Sequence, residues 1–381
     1  MTIATINPYT NKTVKTFVED TPEKLESALK TAHAEFPRWR LTNYQERAAI
    51  LHKVAAIMRE RKADLAKLIT TEMGKLIAES IGEIELSAAI FDYYAENGAR
   101  FLADKPVKTE LGEAMVRHSP IGVLLGVEPW NFPFYQVARF AAPNVMIGNV
   151  VLVKHASNVP QCAIAMEVIF RDAGAPAGLY TNLLIAGSHV SALLSDERIK
   201  GASLTGSEEA GASLAGAAGK NLKKSVLELG GSDAFIVLED ADIDQAVEWA
   251  YVGRMNNTGQ CCVAAKRFIV LDAVAEEFTK KFVARMSNLK VGDPLDHETQ
   301  FGPLSSEEAA VHLQDQVHRA VAGGAKVLLG GSPNCARRGV HRSHGAHGDQ
   351  TGIADLLRGD VWPGRGDLSS QGRASGNRAC E

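Results

Sequence analysis

Gly122-Val123-Leu124-Leu125-Gly126-Val127, followed by Val150-Val151-Leu152-Val153 and then by the helical period of Cys162 to Asp172, sets the fold of this chain. Each apolar run is short and bounded by glycine or polar residues, as in a strand buried on both faces. Strands alternating with helices in this way build a parallel sheet covered on both sides. A second such pattern begins at Ser232. There Phe235-Ile236-Val237-Leu238 and Phe268-Ile269-Val270-Leu271 flank helices, and the helix before Gly323-Gly324 leads into Val327-Leu328-Leu329. Upstream, residues 21–100 are helix-rich, as in Glu46 to Val54, and residues 101–118 read as an extended, partly charged connection. The predicted class is α/β.

At 381 residues the chain exceeds one compact core and fits two or three domains. Its 45% hydrophobic and 23% charged content is ordinary for a soluble globular protein. A formal net charge of −4 gives no reason to expect nucleic acid or an anionic membrane as partner. Residues 1–20 carry no apolar signal core, and no run of eighteen apolar residues occurs. Five cysteines, two adjacent, make no disulfide framework, so a reduced, cytoplasmic setting is expected.

Three short motifs carry chemistry. In Asn256-Asn257-Thr258-Gly259-Gln260-Cys261-Cys262, a cysteine follows a Gly-Gln turn. A thiolate there could attack a carbonyl carbon and leave a thioester; the plain alternative is a buried structural cysteine. In Leu227-Glu228-Leu229-Gly230-Gly231, Glu228 has apolar neighbours and two glycines that allow close backbone approach. A carboxylate acting as base near neutral pH should sit partly desolvated and outside a salt bridge; the alternative is an acid capping a turn. In Pro129-Trp130-Asn131-Phe132-Pro133, Asn131 follows a strand, and Pro133 suits a first helical turn. The alternative for Asn131 is a helix cap.

Together these motifs resemble the NAD(P)-dependent aldehyde dehydrogenases, most closely the short succinate-semialdehyde dehydrogenases, over residues 1 to about 331. The resemblance implies a Rossmann-like cofactor domain over residues 1–100 and 119–229. It also implies a bridging, oligomerising segment at 101–118 and a truncated α/β catalytic domain at 230–331. The family motif Gly-Gln-any-Cys selects Cys262 over Cys261 as nucleophile. Glu228 then activates the water that hydrolyses the thioester, and the Asn131 amide shares an oxyanion hole with the Cys262 N–H. Such a donor is worth about 3 kcal/mol. The substrate is a small aldehyde, and an intact member is a homo-oligomer.

The common Gly-x-Gly-x-x-Gly fingerprint is absent. By resemblance the cofactor, NAD or NADP, is held instead by Thr205-Gly206-Ser207-Glu208-Glu209-Ala210-Gly211, where small residues let a helix N-terminus approach phosphates. Gly206, Ser207, Trp130, Asn131, Leu229, Lys154 and Ser157 are the expected cofactor residues. Three positions after Lys154, NAD-only members often carry Glu; Ser157 removes the charge that would repel a 2′-phosphate, so NADP should be tolerated. Arg139 would lie about two turns along a helix starting near Pro133. It suits bidentate capture of a carboxylate such as that of succinate semialdehyde, the alternative being a salt bridge.

After Lys326 no lysine recurs, and residues 332–381 hold seven arginines, nine glycines and three histidines but no Phe, Tyr or Met. A disordered tail is one reading. Another is a shifted frame: Arg358 to Gly364, read one base later, permits Glu-Glu-Met-Phe-Gly-Pro-Val, close to a family motif missing here. A frameshift between Lys326 and Val340 is the hypothesis, and genomic sequence whose shifted frame breaks early would sink it. His341, His344 and His347 then make no metal site despite their spacing, and the chain as written should be poorly soluble and nearly inactive. Two rivals remain: a CoA-acylating semialdehyde dehydrogenase, a class that generally lacks the Glu before Gly-Gly, and a non-enzymatic nucleotide-binding remnant.

Overall fold

The computed structural model describes residues 3–110 and 112–330, and the backbone of Trp362–Gly364. Contacts divide the chain into two units: Met1–Asn7, Thr13–Met73 and Ile77–Leu229 in the first; Pro8–Lys12, Gly74–Leu76 and Gly230–Glu381 in the second.

The first unit opens with the paired strands β1 (Ile3–Asn7) and β2 (Lys12–Phe17), absent from the sequence reading because residues 1–20 lack an apolar run. Helices α1 (Pro22–Trp39), α2 (Tyr44–Glu60), α3 (Lys62–Met73) and α4 (Ile77–Phe101) follow. Asn43 and Glu46 form a reciprocal capping box at the start of α2. Where an extended connection was expected, β3 (Lys105–Val107) and β4 (Ala114–Val116) form an antiparallel pair.

A five-stranded parallel sheet comes next: β5 (Val123–Glu128), β6 (Val150–His155), β7 (Tyr180–Asn182), β8 (Ile199–Thr205) and β9 (Lys224–Glu228), in the order β7-β6-β5-β8-β9. Helices α5 (Tyr135–Ile147), α6 (Pro160–Asp172), α7 (Val190–Ser195) and α8 (Glu208–Lys220) connect the strands. Val150, Val151, Leu152 and Val153 are all fully buried, which is why β6 reads as a continuous apolar run. The chain leaves β5 towards β6 and β7, then returns to β8 on the other side. Loops after β5 and β8 therefore flank a switch point at the C-terminal edge of the sheet, where open α/β sheets take ligands.

Two of these helices are capped from a distance. The N-cap residues of α5 and α6, Phe134 and Val159, make no side-chain cap. The N–H groups of Phe134 and Tyr135 donate instead to Glu83 Oε1 of α4, at 2.9 and 3.2 Å. Those of Gln161 and Cys162 donate to the buried carboxylate of Glu72 in α3, both at 2.9 Å. In each case an acid from an earlier helix satisfies orphan donors and complements the helix dipole.

In the second unit β10 (Asp233–Val237) pairs in parallel with β11 (Ala265–Leu271). Helices α9 (Ile243–Met255), α10 (Asp272–Ser287) and α11 (Glu307–Ala322) complete the unit, and Phe268, Phe278 and Phe282 form its aromatic core. The run Val327–Leu329 forms no strand; Val327 and Leu328 stay exposed. The backbone of β12 (Trp362–Gly364) pairs in parallel with β11. His341, His344, His347 and the rest of that segment lie outside the described residues. Among the described residues no helix is long and apolar enough to cross a membrane, and no His/Cys/Asp/Glu group could hold a metal ion.

Candidate active site

Strand register sets a polar row along the C-terminal edge of the first unit's sheet. Glu128 of β5 pairs with His155 of β6, and Thr205 of β8 pairs with Glu228 of β9. Val127 pairs with Leu204, so Glu128 and Thr205 end neighbouring strands. The row runs His155, Glu128, Thr205, Glu228. The sequence reading found only the last of them as a chemical group, because Glu128 and His155 lie outside any local motif.

The inner members of the row are buried. Burial pushes the Glu128 carboxyl well above the usual carboxylate range, with the Thr205 hydroxyl and the Arg139 charge opposing it. Burial, reinforced by the charge of Lys154, pushes the His155 imidazole down to about 3, while a bond with the Pro129 backbone opposes this. Both shifts favour the uncharged form.

Their stability linkages oppose each other. The Glu128 pKa is raised, so its contribution is full below about 4.5 and is lost as pH rises towards the folded value. The His155 pKa is lowered, so its contribution is full above about 6.5 and is lost as pH falls towards about 3. Just above 4.5 the two slopes oppose each other, each at most about 1.4 kcal/mol per pH unit. Denaturant unfolding of Glu128→Gln should show stability relative to wild type rising with pH from about 4.5 upward; a pH-independent difference would refute the linkage.

Asn131 lies in the turn between β5 and α5. The helix begins at Tyr135, two residues later than Pro133 suggested, because Glu83 takes the N–H groups of Phe134 and Tyr135. The N-cap residue of α5 is Phe134, not Asn131. Trp130 is half-buried against the core.

Glu228 departs from its expected environment. It ends an edge strand, its side chain is 52% exposed, and its Oε1 lies 3.6 Å from Arg139 Nη2. The apolar neighbours Val226, Leu227 and Leu229 suggested desolvation and no salt bridge. Val226 is itself exposed at this sheet edge, and Arg139, half-buried on α5, supplies the ion pair.

The cofactor candidates gather at the same edge. Gly206 N–H donates to the Glu228 carbonyl at 3.0 Å, tying the loops after β8 and β9. Ser207 is the N-cap of α8, its hydroxyl accepting from Ala210 N–H at 3.2 Å. A Cβ on Gly211 would come within 2.6 Å of Leu229 Cδ2, so α8 lies close over the residue after Glu228. Lys154 is largely enclosed near the end of β6, where burial lowers its pKa, and Ser157 follows just beyond that strand.

In the second unit Cys262 follows a strained turn. Asn257 (φ 53°, ψ 41°) and Thr258 (φ 56°, ψ 32°) are left-handed, as is Gly259 (φ 76°). That region suits glycine and, less well, Asn; for a β-branched residue it is an outlier. The turn is held by its surroundings. Asn257 Nδ2 donates to the Gln260 carbonyl and Gln260 Nε2 to the Asn257 carbonyl, both at 3.2 Å. Ser305 N–H donates to Gln260 Oε1 at 2.9 Å, and buried Arg254 reaches the Gly259 carbonyl at 3.4 Å. Lys266, unremarked in the sequence, donates to the carbonyls of both Gly231 and Cys262. Cys262 is half-buried; burial raises the Cys261 thiol and disfavours its thiolate.

The fold is thus a parallel sheet with a switch point at its C-terminal edge, in one chain with a cysteine-bearing α/β unit. The aldehyde dehydrogenase family pattern matches residues 1–343, and the chain belongs to that family. A succinate-semialdehyde dehydrogenase (NADP+) of Deinococcus radiodurans is 50% identical over 328 residues, 86% of this chain and 69% of the relative. One from Mycobacterium leprae is 46% identical over 334 residues, 87% of this chain and 73% of its own length. The crystal structure of succinic semialdehyde dehydrogenase from Streptococcus pyogenes in complex with NADP+ superposes with a TM-score of 0.85 at 45% identity, covering 87% and 73% of the two chains.

Proposed function

We propose that this chain encodes NADP-dependent oxidation of succinate semialdehyde to succinate through a covalent cysteine adduct. The carrying observation is the edge of the first sheet, where Asn131, Gly206, Ser207 and Glu228 end adjoining strands or follow them. Relatives named for this substrate and for NADP+ support the choice.

The residues at that edge fit a dinucleotide with a 2′-phosphate. Ser207 opens a thirteen-residue helix whose first turn carries Glu208 and Glu209, Lys154 supplies a cation, and Ser157 adds no further carboxylate. Trp130 and Leu229 supply apolar surface for the same group. When bound, the dinucleotide supplies the acceptor for the hydride that the tetrahedral adduct loses.

The chain's own residues do the rest. The Cys262 thiolate attacks the aldehyde carbon, and the carbonyl electron pair moves to oxygen. The Asn131 amide donates a hydrogen bond to that oxygen. After oxidation Glu228 takes a proton from water, which attacks the thioester and releases the acid and the thiolate. Arg139 receives the distal carboxylate. The chain spans 69–73% of the length of these two relatives.

The test is turnover of succinate semialdehyde by the purified 381-residue chain with NADP and with NAD. NADP should be used, and Ser157→Glu should shift the NADP-to-NAD ratio of kcat/KM towards NAD by about tenfold, the effect of one added like charge. Acyl transfer to CoA in place of water would favour the CoA-acylating reading. Cysteine-dependent ester hydrolysis with no cofactor-dependent turnover would favour the remnant.

A further inference from the structure

Two groups to which the proposed function gives separate tasks touch each other: Arg139, the carboxylate receptor, and Glu228, the base. Arg139 Nη2 lies 3.6 Å from Glu228 Oε1, within the first unit. That is an ion-pair distance, too long for a hydrogen bond. The side chains are 38% and 52% exposed, so water screens the pair. The other contacts of Arg139 hold it in place: Nη1 donates to Gln136 Oε1 at 3.2 Å, and the guanidinium lies 5.5 Å from the centre of the Tyr135 ring. They anchor the guanidinium from its own helix while Nη2 meets Glu228.

We propose that Arg139 is an exchange site. In the ligand-free chain it holds Glu228; the distal carboxylate of the substrate displaces Glu228 and frees it to act as base. This rests on the function proposed above. One ion pair breaks and another forms, with no covalent change. A carboxylate approaching the fork edge-on gains two parallel hydrogen bonds where Glu228 has one long contact. An aldehyde without a distal carboxylate leaves Glu228 paired, so one arginine both recognises the acid group and reports it to the hydrolytic step. Discrimination then appears in kcat as well as in binding.

Succinate binding to the full chain, measured by titration calorimetry at fixed ionic strength, tests the exchange. Glu228→Gln removes the competing charge, so succinate should bind about 1.5- to 5-fold more tightly, the range an exposed ion pair is worth. Arg139→Gln should lose binding; if that variant fails to fold, the Glu228→Gln comparison decides alone. Equal or weaker binding by Glu228→Gln, with Arg139 still required, overturns the exchange and leaves the proposed function standing. No binding by folded wild type and Glu228→Gln, or binding that survives Arg139→Gln, overturns the exchange together with the assignment of Arg139 to the carboxylate.

Discussion

Cys262→Ala is expected to lower cofactor-dependent turnover at least about a thousandfold, because the proposed covalent adduct forms on that thiol. Cys261→Ala should be far milder: burial raises that thiol, and the reactive thiolate is correspondingly scarce there. The two variants differ by one position and remove the same atoms, so the pair separates a nucleophile from a packing residue. Trapping of the acyl-enzyme with an activated ester gives a second readout that does not depend on hydride transfer. Loss of trapping in Cys261→Ala with retention in Cys262→Ala would reverse the assignment.

Glu83→Ala is expected to destabilise the first unit by about 2–4 kcal/mol, since two helix N–H groups lose a buried side-chain acceptor. The effect should reach the chemistry. Glu83 fixes where α5 begins, and Asn131 lies four residues before that start. If Asn131 supplies an oxyanion donor, its displacement should lower kcat by about 10²–10³ with a smaller change in KM. Glu83→Gln keeps one acceptor oxygen and should recover most of the stability. Denaturant unfolding alongside steady-state kinetics checks both. A stability loss with unchanged kcat would leave Glu83 as a helix cap only.

The order of strands and helices was legible because burial on both faces writes itself into β5 and β6 as short runs rich in Val and Leu. The helix expected from Cys162 to Asp172 starts two residues earlier, where Pro160 takes the first helical position. The motifs carrying Cys262, Glu228 and Asn131 were legible as local words. What supports them was not. Glu83 caps a helix 51 residues away and Glu72 one 89 to 90 residues away, and nothing local marks either acid as anything but a surface charge. The exposure of Glu228 was misjudged for a related reason. Apolar neighbours imply burial in a central strand, but β9 pairs on one side only, and that position is fixed by topology. Val327–Leu329 has the composition of a strand but is not one, and Val327 and Leu328 are exposed.

The left-handed residues before Cys262 set stability and chemistry against each other. A designer seeking a hardier chain would look first at Thr258, where glycine relieves a cost of about 1–2 kcal/mol. The same substitution widens the conformations open to the backbone that presents the thiol. At this turn the thermodynamically better sequence is the chemically poorer one, and ordinary stabilising substitutions point in the wrong direction. Any hardening of this protein has to come from elsewhere in the molecule, with Asn257 and Thr258 left as they are.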